Sequence, residues 1–282
     1  MGMKKWWKAA AFLTACMMLL SGCASGDKAA GASQGKESQT QSSVSQSAAS
    51  SKAPSAPSQA PESSQATESS DSQTSTQPVG ADFFNDAVFV GDSVSLRLTY
   101  YCQSHKGVLG TAQFLTSGSL GSGNALEKIS EDSVHPVYQG EKMLIEDGVK
   151  ASGAKKVFIM LGMNDVGLYG VEDSVKNMET LVERILEKSP DVEIYIQSMT
   201  PMLKETQLKQ LNNPNLDKYN QQLKALCEEK GYHFADVASV MKDEEGNLIP
   251  EYCSDPEGMG IHFTDAGAQA WIDYLIKNAD SF

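Results

Sequence analysis

Between residues 87 and 276 the chain alternates short, continuously apolar runs with longer segments of helical period, and this alternation restricts the folds open to it. The apolar runs are Ala87–Val90, the weaker Ala112–Thr116, Lys156–Leu161, Val192–Ile196 and Tyr232–Ala235. Runs that stay apolar at successive positions suit strands covered on both faces, as in a parallel sheet. Val171–Lys188 carries Val175, Met178, Leu181, Val182, Ile185 and Leu186 on one helical face and stops before Pro190. Leu216–Lys230 repeats the pattern with Tyr219, Leu223, Leu226 and Cys227, and Gly231 follows as a C-cap. Thr264–Ile276 opens on Thr264 as N-cap and Asp265 as an acid matched to the helix dipole; Trp271, Tyr274 and Leu275 give it a face to pack. Strands alternating with helices predict a three-layer α/β/α sandwich around a mainly parallel five-stranded sheet. Ligands of such sheets bind beyond the carboxyl ends of the strands, so chemistry is expected just after a strand.

The 282 residues are not of one character. Lys4, Lys5 and Lys8 precede an apolar stretch, Ala9–Leu20, and then small residues. That order describes a secretory signal, and the stretch is short for a spanning helix. The ending Leu20-Ser21-Gly22-Cys23 resembles the bacterial lipobox, which implies a signal peptide over 1–23 and lipid attachment at Cys23. The resemblance implies an extracytoplasmic protein anchored to the cell membrane by acyl chains. Residues 24–80 are dominated by Ser, Gln, Ala, Thr and Pro, and cannot bury enough apolar surface to offset their ordering entropy. They are expected to form a disordered linker that holds the domain off the membrane. Residues 81–282 suffice for one domain with its own core.

That domain holds 17 Lys and Arg against 31 Asp and Glu, a net charge of −14. The balance disfavours nucleic acid, since nothing in the sequence forms the basic stripe that phosphate binding needs, and no nucleic-acid partner is expected. Apart from Cys16 and Cys23, the cysteines are Cys102, Cys227 and Cys253. An odd set in an oxidising compartment allows at most one intramolecular pair, and buried or unpaired thiols remain the alternative. No Cys-x-x-Cys spacing or Cys/His cluster points to a metal.

Three segments fall where chemistry is expected: Gly91-Asp92-Ser93 after the first strand, Gly162-Met163-Asn164-Asp165 after the 156–161 run, and Gly260-Ile261-His262-Phe263-Thr264 before the last helix. A serine at a strand-to-helix turn exposes its hydroxyl beside the backbone N–H groups of the helix start, which can hold an oxyanion. It needs a base, and His262 is the best placed of four histidines. His105 lies beyond the first helix, His135 before a proline and His233 inside a strand. Taken alone, Ser93 serves equally as an N-cap and Asn164 as a turn residue.

Taken together, these segments resemble the SGNH hydrolases, also called the GDSL esterase/lipase family. Gly91-Asp92-Ser93-Val94 matches the first block with Val in place of the frequent Leu, and Gly162 to Asp165 matches the Gly-x-Asn-Asp block. The glycine block falls in Ser117-Gly118-Ser119, with Gly121 and Gly123 close by. The resemblance spans residues 81–282 and implies the SGNH, flavodoxin-like arrangement of the sheet. It also implies that Ser93 attacks an acyl carbonyl while His262 takes its proton. The oxyanion would be held by the N–H groups of Ser93 and Gly118 and the side-chain amide of Asn164, with Asp92 and Asp165 fixing the turns.

One departure stands out. The family's acid lies three residues before the histidine, where this chain has Met259. Treating Pro256–Met259 as an insertion restores the spacing and makes Asp255 the third member, ahead of Glu257 or a dyad steadied by a backbone carbonyl. The expected activity is hydrolysis of carboxylic esters at the cell surface through an acyl-enzyme, with an acylated cell-wall glycan as candidate partner and no cofactor. O-acyl transfer on the same fold and a non-catalytic glycan-binding lipoprotein are the alternatives.

Overall fold

The computed structural model describes residues 80–282. The expected signal segment, the expected lipid-attachment residue Cys23 and all of the expected linker except Gly80 lie outside the described residues. No helix among the described residues is long and apolar enough to cross a membrane.

A 3₁₀ turn over Ala81–Phe84 leads into β1 (Ala87–Gly91), α1 (Ser93–Ser104) and β2 (Gln113–Thr116). A single helical turn, α2 (Ser122–Ala125), is followed by a small hairpin of β3 (Val137–Tyr138) and β4 (Glu141–Lys142). The chain then runs through α3 (Ile145–Ser152), β5 (Lys156–Met160), α4 (Val166–Lys188) and β6 (Glu193–Gln197). It finishes with α5 (Asn213–Lys230), β7 (His233–Ala235) and α6 (Asp265–Asn278).

Five of the strands form one sheet in the order β2-β1-β5-β6-β7, and every pairing in it is parallel. Helix α4 packs against both α3 and α5, while α1 packs against α6. The result is the expected α/β/α sandwich with a flavodoxin-like strand order. Strands β1 and β5 are buried almost throughout, because helices cover both faces of the sheet.

An aromatic row crosses all five strands. Phe114, Phe89, Phe158, Tyr195 and His233 are register partners from strand to strand. Their rings stack, with centroids 5.6, 4.8, 4.4 and 4.4 Å apart along the row. Pairs of this kind contribute about 0.5–1.5 kcal/mol each beyond the area they bury. His233 belongs to this row and is thereby accounted for as a packing residue.

Two helices differ from the sequence expectation. The periodic stretch expected from Val171 is the second part of α4, which begins at Val166 and changes direction at Gly170 (φ 77°, ψ 173°). The first turn ahead of that kink carries Leu168 and Tyr169 exposed, so it has no apolar period to detect. Helix α5 starts at Asn213 rather than Leu216, because the side chain of Asn212 caps it by accepting from the Asn215 N–H.

Candidate active site

The strand order reverses at β1, which is flanked by β2 on one side and β5 on the other. Crevices form at such a reversal, beyond the carboxyl ends of the strands. Gly91 and Met160, the last residues of β1 and β5, are register partners. The turns that follow them, carrying Ser93 and Asn164, therefore leave the sheet side by side.

After β1 the backbone of Asp92 is extended, and its Oδ1 accepts from the Val94 N–H at 2.9 Å, capping α1. Ser93 is thus the first residue of the helix and not its cap, so its N–H has no intrahelical acceptor. After β5 comes Gly162 with φ 150°, where a Cβ would stand 2.4 Å from the ring of Tyr219. The Tyr219 hydroxyl donates to the Leu161 carbonyl at 2.9 Å, so only glycine fits between the strand end and that ring. The Asn164 amide Nδ2 donates to the Leu120 carbonyl at 3.0 Å and approaches Asp92 Oδ2 at 3.4 Å. Asp165, fully buried, accepts from the N–H groups of Ser122 and Gly123 and from the Ser122 hydroxyl. One carboxylate thereby fastens the loop after β2 to the start of α4.

The third segment forms a closed loop. Cys253 bridges Phe263 in antiparallel fashion, and the Ser254 N–H donates to the His262 carbonyl at 2.8 Å. Inside this clamp the Asp255 carboxylate collects donors. Oδ1 accepts from the N–H groups of Ile261 and His262 at 3.1 and 3.0 Å and from the Cys253 thiol at 3.4 Å. Oδ2 accepts from the Met259 N–H at 3.3 Å and lies 2.8 Å from His262 Nδ1. The other ring nitrogen, Nε2, lies 2.9 Å from Ser93 Oγ. Ser93, His262 and Asp255 thus form one hydrogen-bonded row, with the histidine and aspartate side chains 26% and 25% exposed. Glu257 is exposed on the loop and does not join the row. Met259, three residues before His262, thus meets Asp255 through its backbone N–H rather than its side chain. Gly260 closes the loop with φ 64°, and a Cβ there would stand 2.5 Å from Thr206 Oγ1.

The three carboxyls are shifted in different directions. Burial pushes Asp92 up to about 7, against the pull of the Val94 and Ser95 N–H groups, and the charge of Asp165 adds to the rise. Burial also raises Asp165, opposed by its hydrogen bonds from Gly123 and Ser122. For Asp255 partial burial acts upward, but hydrogen bonds from the His262 ring and backbone, with the Coulombic attraction of the imidazole, outweigh it and hold the carboxyl below its usual value. Asp255 is the member suited to remain ionised behind an imidazolium.

Gly118 is exposed on the loop after β2; no atom lies within 4 Å of where its Cβ would be, and its N–H donates to no group among the described residues. His105 stacks on Tyr101 at the end of α1, and His135 is buried with Nε2 against the Ala125 carbonyl. Cys102, Cys227 and Cys253 are unpaired. No group of three or more His, Cys, Asp and Glu that could hold a metal occurs among the described residues. Sequence reasoning missed two contributors. Cys253 has no motif around it, and Arg97, whose Nε donates to the Phe263 carbonyl at 3.0 Å, is visible only as the residue one helical turn beyond Ser93.

Residues 120–270 match the family model of the GDSL-like lipases and acylhydrolases, a little over half of the chain. The chain belongs to the GDSL-like lipase/acylhydrolase family. The matched span contains the Asn164 block and the His262 loop, while Ser93 precedes it. Membership in this family, known also as the SGNH hydrolases, carries hydrolase or acyltransferase chemistry on this fold. Among curated proteins no relative matches. Among solved structures the fold is similar to a GDSL-like lipase from Bacteroides thetaiotaomicron, with 17% identity, a TM-score of 0.51, and coverage of 69% of this chain and 89% of that one. It is likewise similar to the lipopolysaccharide acetyltransferase periplasmic domain of Salmonella ser. Paratyphi A, with 12% identity, a TM-score of 0.50, and coverage of 70% and 84%.

Proposed function

We propose that this GDSL-family domain is a serine esterase acting through an acyl-enzyme, with Ser93 as nucleophile, His262 as base and Asp255 as the orienting acid. The row Ser93 Oγ–His262 Nε2 and His262 Nδ1–Asp255 Oδ2, at 2.9 and 2.8 Å, carries this reading. As Oγ attacks the acyl carbonyl carbon, its proton passes to Nε2, and Asp255 stabilises the imidazolium through Nδ1–H. The carbonyl oxygen gains the negative charge and is met by the N–H groups of Ser93 and Gly118 and by the Asn164 amide. Collapse returns the charge to a carbonyl, breaks the ester C–O bond and delivers the Nε2 proton to the departing alcohol. Water then attacks the acyl-Ser93 with His262 again as base, releasing the carboxylic acid and restoring the serine.

The order basic start, apolar stretch and Leu-Ser-Gly-Cys supports secretion and tethering through Cys23, with residues 24–80 as stalk and 81–282 as catalytic domain. A tethered site on a stalk suits O-acyl groups of a surface glycan. A glycan hydroxyl in place of water would turn the same acyl-enzyme to transfer.

The test is hydrolysis of p-nitrophenyl acetate by the full chain and its Ser93→Ala variant, followed by acetate release from an acetylated cell-wall glycan. The variant should lose more than about a thousandfold in kcat. Equal rates for the two proteins overturn the reading, and acetyl groups moved between sugars without free acetate would assign transfer instead.

A further inference from the structure

We propose that a cleft between α1 and the start of α6 is a subsite for one neutral sugar ring of the ester substrate. The inference rests on the esterase reading and names its substrate class. The cleft, about 120 Å³, is lined by Arg97, Tyr100, Tyr101, Ser104, His105 and Asp265. It adjoins the reacting row through two links. Arg97 follows Ser93 by four residues on α1, so both lie on one face a single turn apart. Its Nε donates to the carbonyl of Phe263, the neighbour of His262, while Asp265 begins the helix two residues further on.

The wall chemistry selects the ligand. The terminal nitrogens of Arg97 donate to no acceptor among the described residues, and the Asp265 carboxylate accepts from none. A fixed donor fork and an acceptor thus face one small space with opposite charges. An anion is repelled by Asp265 and a cation by Arg97, so neither gains much there. A neutral polyhydroxyl ligand uses both, since its hydroxyls accept from the guanidinium and donate to the carboxylate. Tyr100, 48% exposed, offers a ring face for the apolar C–H side of a pyranose. The back of the cleft is rigid: the Tyr101 hydroxyl donates to Gln269 of α6, and the His105 ring stacks on Tyr101 with centroids 4.0 Å apart. A firm aromatic wall beside a donor and an acceptor that no group among the described residues engages suits hydrogen-bonding of a ring.

The test compares the full chain with Tyr100→Ala and Asp265→Asn on p-nitrophenyl acetate and on O-acetylated xylotriose, cellotriose and chitotriose. In both variants the ratio of kcat/KM on the best sugar ester to that on p-nitrophenyl acetate should fall at least about tenfold, through KM, a change worth about 1.4 kcal/mol. An unchanged ratio in both overturns the subsite, even where Ser93-dependent hydrolysis of p-nitrophenyl acetate stands. Calorimetric titration of the Ser93→Ala chain with the unacetylated trisaccharides reads the cleft independently of catalysis. Binding that Tyr100→Ala abolishes supports the subsite, and absence of binding to all three overturns it.

Discussion

The side-chain amide of Asn164 bridges two turns, donating to the Leu120 carbonyl at 3.0 Å and standing 3.4 Å from Asp92 Oδ2, the carboxyl that caps the helix carrying Ser93. The shorter bond fixes the amide in place. The longer one leaves a second N–H that a developing oxyanion can capture. Asn164→Ala should therefore lower kcat about 10²–10³-fold on p-nitrophenyl acetate with little change in KM. A variant that keeps the full rate removes the amide from the reaction.

Asp92 ties stability to pH with a definite sign. Its carboxyl titrates near 7 when folded against 3.8 as the ordinary value, so between these the folded chain holds a proton that the unfolded chain has released. The contribution of Asp92 to stability is greatest below about pH 4 and declines as pH rises to about 7. Asp92→Asn retains a side-chain oxygen to cap Val94 and cannot titrate. Its melting temperature relative to the parent should rise steadily across that window. A parallel pair of melting curves from pH 4 to 7 would refute the burial argument.

The two acids of the His262 loop separate cleanly. Asp255→Asn removes the charge behind the imidazole and should cost about 10⁴-fold in kcat, by analogy with a serine protease triad. Glu257→Gln, on the exposed side of the loop, should stay within about twofold. If Glu257→Gln carries the loss instead, the third member has been misassigned.

Gly260 joins that loop to the segment after β6, since its carbonyl accepts from the Leu203 N–H at 2.9 Å. With φ at 64° and Thr206 against it, Gly260→Ala should cost about 1–3 kcal/mol of stability. Thermal unfolding checks the loss, and a rate assay well below the new melting temperature should show reduced turnover because Asp255 and His262 shift together. Unaltered melting would mean that the loop relaxes around the added methyl.

The sheet and the three segments that the structure brings together were legible because each depends on local signals: apolar runs for β1, β5 and β6, and Gly-Asp-Ser or Gly-x-Asn-Asp immediately after a strand. Asp255 was legible only as a break in spacing, since a sequence allows residues 256–259 to be read as an insertion but does not show that their backbone brings the Asp255 carboxylate to His262. The start of α4 escaped because Leu168 and Tyr169 are exposed there, leaving no buried face in the pattern. Arg97 escaped because its partner, the Phe263 carbonyl, is 166 residues away and belongs to the backbone. The hydrogen bonds of Asp165 to Ser122 and Gly123 are equally silent, since nothing in the β2 loop announces which carboxylate it will meet.

The aromatic row across the sheet has a consequence at a distance. Phe89 lies two residues before Gly91 and Phe158 two before Met160, so the stacked rings set how far β1 and β5 advance relative to each other. A one-residue slip between them would offset the two strand ends by about 3.3 Å and bury the wrong side chains. Ser93 and the Asn164 amide would then be displaced past each other along the strand direction. The rings work as a gauge: none of them belongs to the Ser93–His262–Asp255 row, yet their alignment sets the spacing between the turns that carry Ser93 and Asn164.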